Sequence, residues 1–236
     1  MKNQDLILNT IEKRRNGTNG YSHDEIGDHH FSPRLETPIR TDAFLLSDEE
    51  KKDRIAGHFA EIMKTLGMDL HDDSLKGTPD RVAKMYVDEI FSGLKPENKP
   101  EATLFSNQYQ YKQMLVEKNI TLFSTCEHHF VPIIGVAHVA YIPSGKVIGL
   151  SKLNRIVQYY AKRPQVQERL TNQIAHELRK VLNTEDVAVI IDSKHLCVSS
   201  RGVEDHSSST VTTYYGGKFK SPEKISELQN YIHHGL

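Results

Sequence analysis

The apolar positions of the chain follow two rhythms. Between Ser47 and Gly93 they recur at helical spacing, and beyond Thr103 alternation and apolar runs take over. Ser47 and Glu50 form a capping box ahead of Ile55, Phe59, Ile62 and Leu66, which predicts a helix ended by Gly67. Thr78 as N-cap, with Pro79 in the first position, predicts a second helix. Its apolar face is Val82, Met85, Tyr86 and Ile90, and Gly93 stops it. Strands are predicted over 103–111, 114–117, 120–125 and 130–142. In the last of these, Ala137, Val139 and Tyr141 share one face, and Val136, His138, Ala140 and Ile142 share the other. Only His138 is polar, so both faces are expected to be covered.

Ser151 is predicted to cap a helix carrying Leu153, Ile156, Val157 and Tyr160, which Arg163-Pro164 breaks. A longer helix follows, with Val166, Leu170, Ile174, Leu178 and Leu182 on one side. Strands over 187–191, 195–199 and 210–215 precede a last helix from Ser221-Pro222, with Ile225, Leu228 and Ile232 inward. Helices, strands, two consecutive helices, strands and a helix make an α+β pattern with an antiparallel sheet. Residues 1–46 mix Gly, Asn, His, Ser and Pro without period and are expected to form a flexible arm. In it His29-His30 reads as ordinary tail, and Leu6, Ile7 and Ile11 as a short amphipathic turn. The remainder, 47–236, is read as one domain with a helical part, 47–100, and a catalytic part, 101–236.

Composition removes several function classes. The formal net charge of −1 gives no basis for nucleic-acid binding. No apolar run approaches the length of a membrane span. The first residues do not read as a secretory signal, because Leu6-Ile7-Leu8 is cut short by Asn9 and followed by Glu12-Lys13-Arg14-Arg15. Two cysteines without such a signal fit a cytoplasmic protein with free thiols.

Those two cysteines define the chemistry. Cys126 stands in Thr125-Cys126-Glu127-His128-His129, and Cys197 closes Lys194-His195-Leu196-Cys197. A buried Cys is commonly just a small hydrophobe. Here two chelating pairs occur with no competing cysteine. Cys126, His129 and Cys197 would leave the fourth position of a tetrahedral zinc to water, which is a catalytic rather than a structural arrangement. His128 and His195 would then stand near that water as proton carriers. No Gly-rich phosphate loop is present, so any phosphate must be met by side chains. Arg81 sits in a first helical turn, where a cation opposes the dipole, a weak sign of a role beyond the helix.

The motifs Thr78-Pro79-Asp80-Arg81-Val82-Ala83-Lys84-Met85, Ser124-Thr125-Cys126-Glu127-His128-His129, Gly149-Leu150-Ser151-Lys152-Leu153, Arg163-Pro164-Gln165-Val166-Gln167-Glu168-Arg169-Leu170, His195-Leu196-Cys197 and Arg201-Gly202 occur in this order. Together they resemble the GTP cyclohydrolase I family from Ser47 to the C-terminus. The resemblance implies a zinc enzyme that converts GTP to 7,8-dihydroneopterin triphosphate and formate. It implies a tunnelling fold (T-fold), with subunits joined into an oligomeric β-barrel and two pentameric rings stacked as a homodecamer. It implies Cys126, His129 and Cys197 as zinc ligands, and His128, His195 and Ser151 as catalytic residues. Glu168 would read the two adjacent donors of guanine, Gln167 would donate to its O6, and Lys152, Arg155, Arg201 and Arg81 would hold the triphosphate. A nitrile reductase or a three-histidine pterin synthase of the same fold is opposed by the Cys126/Cys197 pair. A non-catalytic zinc module is opposed by His128, His195, Ser151 and Glu168.

Overall fold

The structure is a computed structural model that describes residues 35–234. His29-His30, the 6–11 turn and most of the expected 1–46 arm lie outside the described residues. Helix α1, Asp48–Thr65, starts at the capping box read from the sequence: Ser47 Oγ accepts from the Glu50 amide, and the Glu50 carboxylate accepts from the Ser47 amide. Such a cap contributes about 1 kcal/mol. Helix α2, Thr78–Lys84, continues into a π-helical turn, Met85–Ile90. Its N-cap is Gly77 rather than Thr78. The Thr78 hydroxyl instead accepts from the Arg81 guanidinium at 2.9 Å, so it is spent on a side chain.

Seven strands follow: β1 Leu104–Ser106, β2 Leu115–Cys126, β3 Pro132–Tyr141, β4 Lys146–Ile148, β5 Pro164–Gln165, β6 Val187–His195 and β7 Thr210–Tyr215. Between them lie α3 (Leu150–Ala161), α4 (Gln167–Leu182) and the short α5 (Leu196–Ser199), and α6 (Pro222–His234) closes the described chain. The main sheet has the order β5-β2-β3-β6-β7, and a separate ribbon pairs β1 with β4. Every neighbour in the main sheet is antiparallel except the short β5–β2 pair. The sequence split β2 into two strands. It is one strand with a bulge between Glu117 and Ile120, where Asn119 takes φ 59°.

The α+β expectation therefore holds as a mixed helix-and-sheet fold. Leu122, Ala137, Val139, Tyr141, Val189 and Ile191 form one sheet face, packed on Leu153, Ile156 and Val157 of α3 and Leu170, Ile174 and Leu178 of α4. Truncating one of these buried leucines to Ala costs about 2–5 kcal/mol. On the opposite face Ala140, Ile142 and Ala188 meet Phe219 and Leu228. Both faces of the second half of β3 are covered, as its pattern predicts. Gly135 lets β3 and β6 approach beside the site: a Cβ there would lie 2.1 Å from Asp192 O. Among the described residues no helix is long and apolar enough to cross a membrane.

Candidate metal centre and active site

Sheet register brings the chemistry-bearing residues to one end. Ser124 of β2 faces Ile133 of β3, and Ile133 faces His195 of β6. Cys126 and Cys197 each lie two residues past this row, and so converge. The turn after Cys126 is closed at both sides, by Phe130 N to Cys126 O at 2.9 Å and by Cys126 N to Val131 O at 2.9 Å. Phe130 takes φ 56° to complete it. Cys197 does not lie on a strand, as the sequence suggested. Leu196–Ser199 is a helical turn, which the Ser199 and Ser200 hydroxyls support by donating to His195 O and Leu196 O.

The ligand atoms of Cys126, His129 and Cys197 all lie within 4.8 Å of one another. His129 Nδ1 is 3.9 Å and His128 Nδ1 4.0 Å from the Cys126 sulfur. Burial, and then the neighbouring Cys126, push the Cys197 thiol up to about 11. Two sulfurs facing each other in a half-buried place repel as thiolates, and a cation between them would remove that penalty. The donor set, two thiols and an imidazole on three sides of one point, fits a metal ion.

A second set of contacts ties this loop to the first turn of α4. Arg169, 5% exposed, makes a two-pronged pair with Glu127, one arm at 3.0 Å. The Glu127 amide donates to Gln165 O at 3.0 Å. Gln167 is buried beside them and meets His195 Nε2 at 2.7 Å through its Oε1. Burial lowers the His195 pKa, and the Glu168 carboxylate opposes that shift. Glu168 itself is exposed and so open to a ligand. Gln167 departs from its expected part. Its amide nitrogen already faces Ile191 O, Thr210 O and Thr212 Oγ1, so no amide hydrogen is left for a base oxygen. The motif contained Glu127 and Arg169, but nothing in their spacing marked them as partners.

The remaining expected residues lie elsewhere. Ser151 is inside the first turn of α3, not its cap, which is Gly149. The start of α3 is fastened far from Cys126: Asn154 donates to Glu117 at 3.2 Å, and Gln158 donates to Thr121 O. Residues 117–126 span roughly 30 Å at the strand rise. Ser151 and Lys152, which precede Asn154, therefore sit at the other end of β2. Arg155 lines a cleft of about 310 Å³ with Asn98, Gln158 and Lys162. Arg81 binds Ser74 O and Thr78 within its own region. Arg201 is close enough to Cys197 to act on it electrostatically and is exposed.

Known proteins resemble this chain over most of its length. A family model described as GTP cyclohydrolase I matches residues 55–233. The chain belongs to the GTP cyclohydrolase I family. The GTP cyclohydrolase 1 of Flavobacterium johnsoniae is 65% identical over 209 residues, covering 89% of this chain and 94% of the relative. That of Aeromonas salmonicida is 57% identical over 195 residues, with 82% and 88% covered. An Escherichia coli GTP cyclohydrolase 1 is 57% identical over 189 residues, with 80% and 85% covered. A solved structure, the archaeosine synthase QueF-Like in the apo form, shares 18% identity at a TM-score of 0.38, over 44% of this chain and 93% of that one. At that score it decides nothing about the fold. Membership makes this GTP cyclohydrolase I chain an enzyme of the hydrolase class.

Proposed function

We propose that the protein opens the imidazole ring of GTP and rearranges the product to 7,8-dihydroneopterin triphosphate, releasing formate, as the first step of tetrahydrofolate and pterin biosynthesis. The observation that carries this is the Cys126, His129 and Cys197 group with His128 and His195 beside it, in a chain of this family. Cys126, His129 and Cys197 hold the ion, and two sulfurs with one imidazole favour zinc. When bound, zinc supplies Lewis-acid activation of water. His128 and His195 carry protons: N7 of the base gains one as the C8–N7 bond opens, and imidazole exchanges protons near neutral pH. Glu168 accepts from N1–H and the exocyclic amine of guanine, which fixes the base against the two histidines.

Ser151, Lys152, Arg155 and Arg81 act on the ribose and triphosphate, with Arg201 joining from the Cys197 side. A single chain holds Ser151 and Lys152 at the far end of β2 from its own Cys126, which supports a pocket assembled from more than one copy. Closing the sheet into an oligomeric barrel of the T-fold kind, as a homodecamer of two pentameric rings, would bring a neighbour's α3 to each metal group and cover open strand edges. The substrate is GTP, with no nucleic-acid or membrane partner, and the setting is cytoplasmic. The test is formate release from GTP by the purified protein, measured with zinc and after chelation. Formate with zinc and none after chelation is the expected result; zinc-loaded protein that leaves GTP intact would overturn the proposal.

A further inference from the structure

We propose that Gln167 is a positioning residue that fixes the ring of His195 with its Nε2 as hydrogen donor, leaving Nδ1 as the nitrogen that exchanges a proton with substrate. The Gln167 amide sets the direction of every bond around it. Its nitrogen lies 3.1 Å from Ile191 O, 2.8 Å from Thr210 O and 3.1 Å from Thr212 Oγ1. Two of these are backbone carbonyls, which only accept, so this end of the amide must be the NH₂. The other end is then an oxygen, and it accepts from Ser193 Oγ at 2.9 Å and from His195 Nε2 at 2.7 Å. An amide oxygen cannot donate, so His195 Nε2 must carry hydrogen. In a neutral ring the lone pair is then on Nδ1.

The hydroxyls around the amide point the same way. Thr171 Oγ1 donates its one hydrogen to Gln167 O at 2.9 Å, so the 2.7 Å contact with Thr212 must use the Thr212 hydrogen. Thr212 Oγ1 is thereby left with lone pairs toward the Gln167 amide. The network forms a closed circuit with one consistent donor direction, and a flipped amide would set its oxygen against two carbonyls. Gln167 and Ser193 are each 2% exposed, so water does not compete for these bonds. The circuit spans three elements: the start of α4, the end of β6 and the edge strand β7. His195 is oriented by this framework rather than by its own strand alone.

This rests on the proposed proton-carrying role of His195, and the test separates the two. Gln167→Met, His195→Ala and the double variant are compared as zinc-loaded protein for kcat, GTP dissociation constant, zinc content and oligomeric state. Gln167→Met should lower kcat about tenfold or more while zinc and GTP binding stay near wild type, since a positioned acid–base group contributes roughly 10²–10⁴-fold. In the His195→Ala background the same substitution should cost nothing further, because it acts only through that ring. A loss of equal size with and without His195, or no loss at all, would overturn the positioning role. Wild-type kcat in His195→Ala alone would overturn both the role and the reading beneath it. If Gln167→Met does not fold, Thr212→Val keeps the amide and removes one of its acceptors. A smaller kcat loss that vanishes in the His195→Ala background supports the proposal, and one that persists there overturns it.

Discussion

The two ends of β2 differ in kind. At the Cys126 end, segments from distant parts of the chain meet around buried Cys126, Gln167 and Arg169, while His128 and His129 stay exposed, and the polar groups are tied together: Arg169 with Glu127, Gln167 with His195, and Cys126 with two imidazoles. At the Glu117 end the start of α3 presents Ser151 and Lys152, neither of which has a side-chain partner among the described residues, and a neighbouring fixed contact is Asn154 with Glu117. One end is pre-organised by its own chain. The other presents a hydroxyl and a cationic group that no other described side chain engages. The difference teaches that residues read together from sequence motifs need not meet within one chain.

Metal content should separate the ends most sharply. Cys126→Ser or Cys197→Ser should lose both zinc and activity, read by elemental analysis and formate release; full zinc in either variant would remove that sulfur from the ligand set. Arg169→Ala should come next in effect, because it strands Glu127 in a largely buried place. Breaking such a pair costs about 3–5 kcal/mol, measurable by denaturant unfolding. A cost near zero would mean the pair does not brace the metal loop. At the opposite end, Lys152→Ala should leave zinc in place while GTP binding weakens about tenfold or more, as expected for a charge-assisted hydrogen bond. Equal zinc loss there would erase the contrast between the two ends.

Glu168→Gln puts a donor against a guanine donor. An unmatched buried polar group costs about 1–3 kcal/mol, so GTP affinity should fall about tenfold with zinc retained. Unchanged affinity would show that another residue reads the base.

The smallest effect is expected away from both ends. His138 is 7% exposed on β3, and its pKa is lowered by burial first, then by His233 and Lys118, with Asp192 opposing. Its Nδ1 accepts from the Asn119 amide at 3.3 Å. The folded value lies below the unfolded one, so the unfolded chain binds the proton first as pH falls. Stability should be full above about pH 6.5 and decline below it, until the folded ring also charges. His138→Gln should flatten that slope in melts taken across pH, with zinc and activity unchanged at neutral pH. A slope that survives the substitution would assign it to another group.

Much of this was legible in the sequence, for identifiable reasons. Local signals were read correctly where they are local: the Ser47 box, the 210–215 strand and the final helix from Pro222 match their elements. The convergence of Cys126, His129 and Cys197 was legible because two cysteines leave few combinations. Errors occur where a non-local contact overrides a short-range preference. Cys197 is a local exception: its helical turn is held by serine hydroxyls that donate four residues back, although Leu196 and Val198 read as strand. Gln167 was expected to donate to guanine O6, but β6 and β7 arrive from later in the chain and consume its hydrogens. The Glu127–Arg169 pair depends on residues 42 positions apart, which no periodicity shows.

One copy's Cys126 end is expected to work with another copy's α3 end. Mixing tests it most directly: Cys126→Ser and Ser151→Ala proteins, each inactive alone, are dissociated together, reassembled, loaded with zinc and assayed for formate release from GTP. Partial activity in the mixed oligomer is the predicted result, since some sites then draw an intact metal group from one chain and an intact Ser151 from another. Mixed oligomers that form and bind zinc yet stay inactive, or an active monomer in sedimentation, would contradict it.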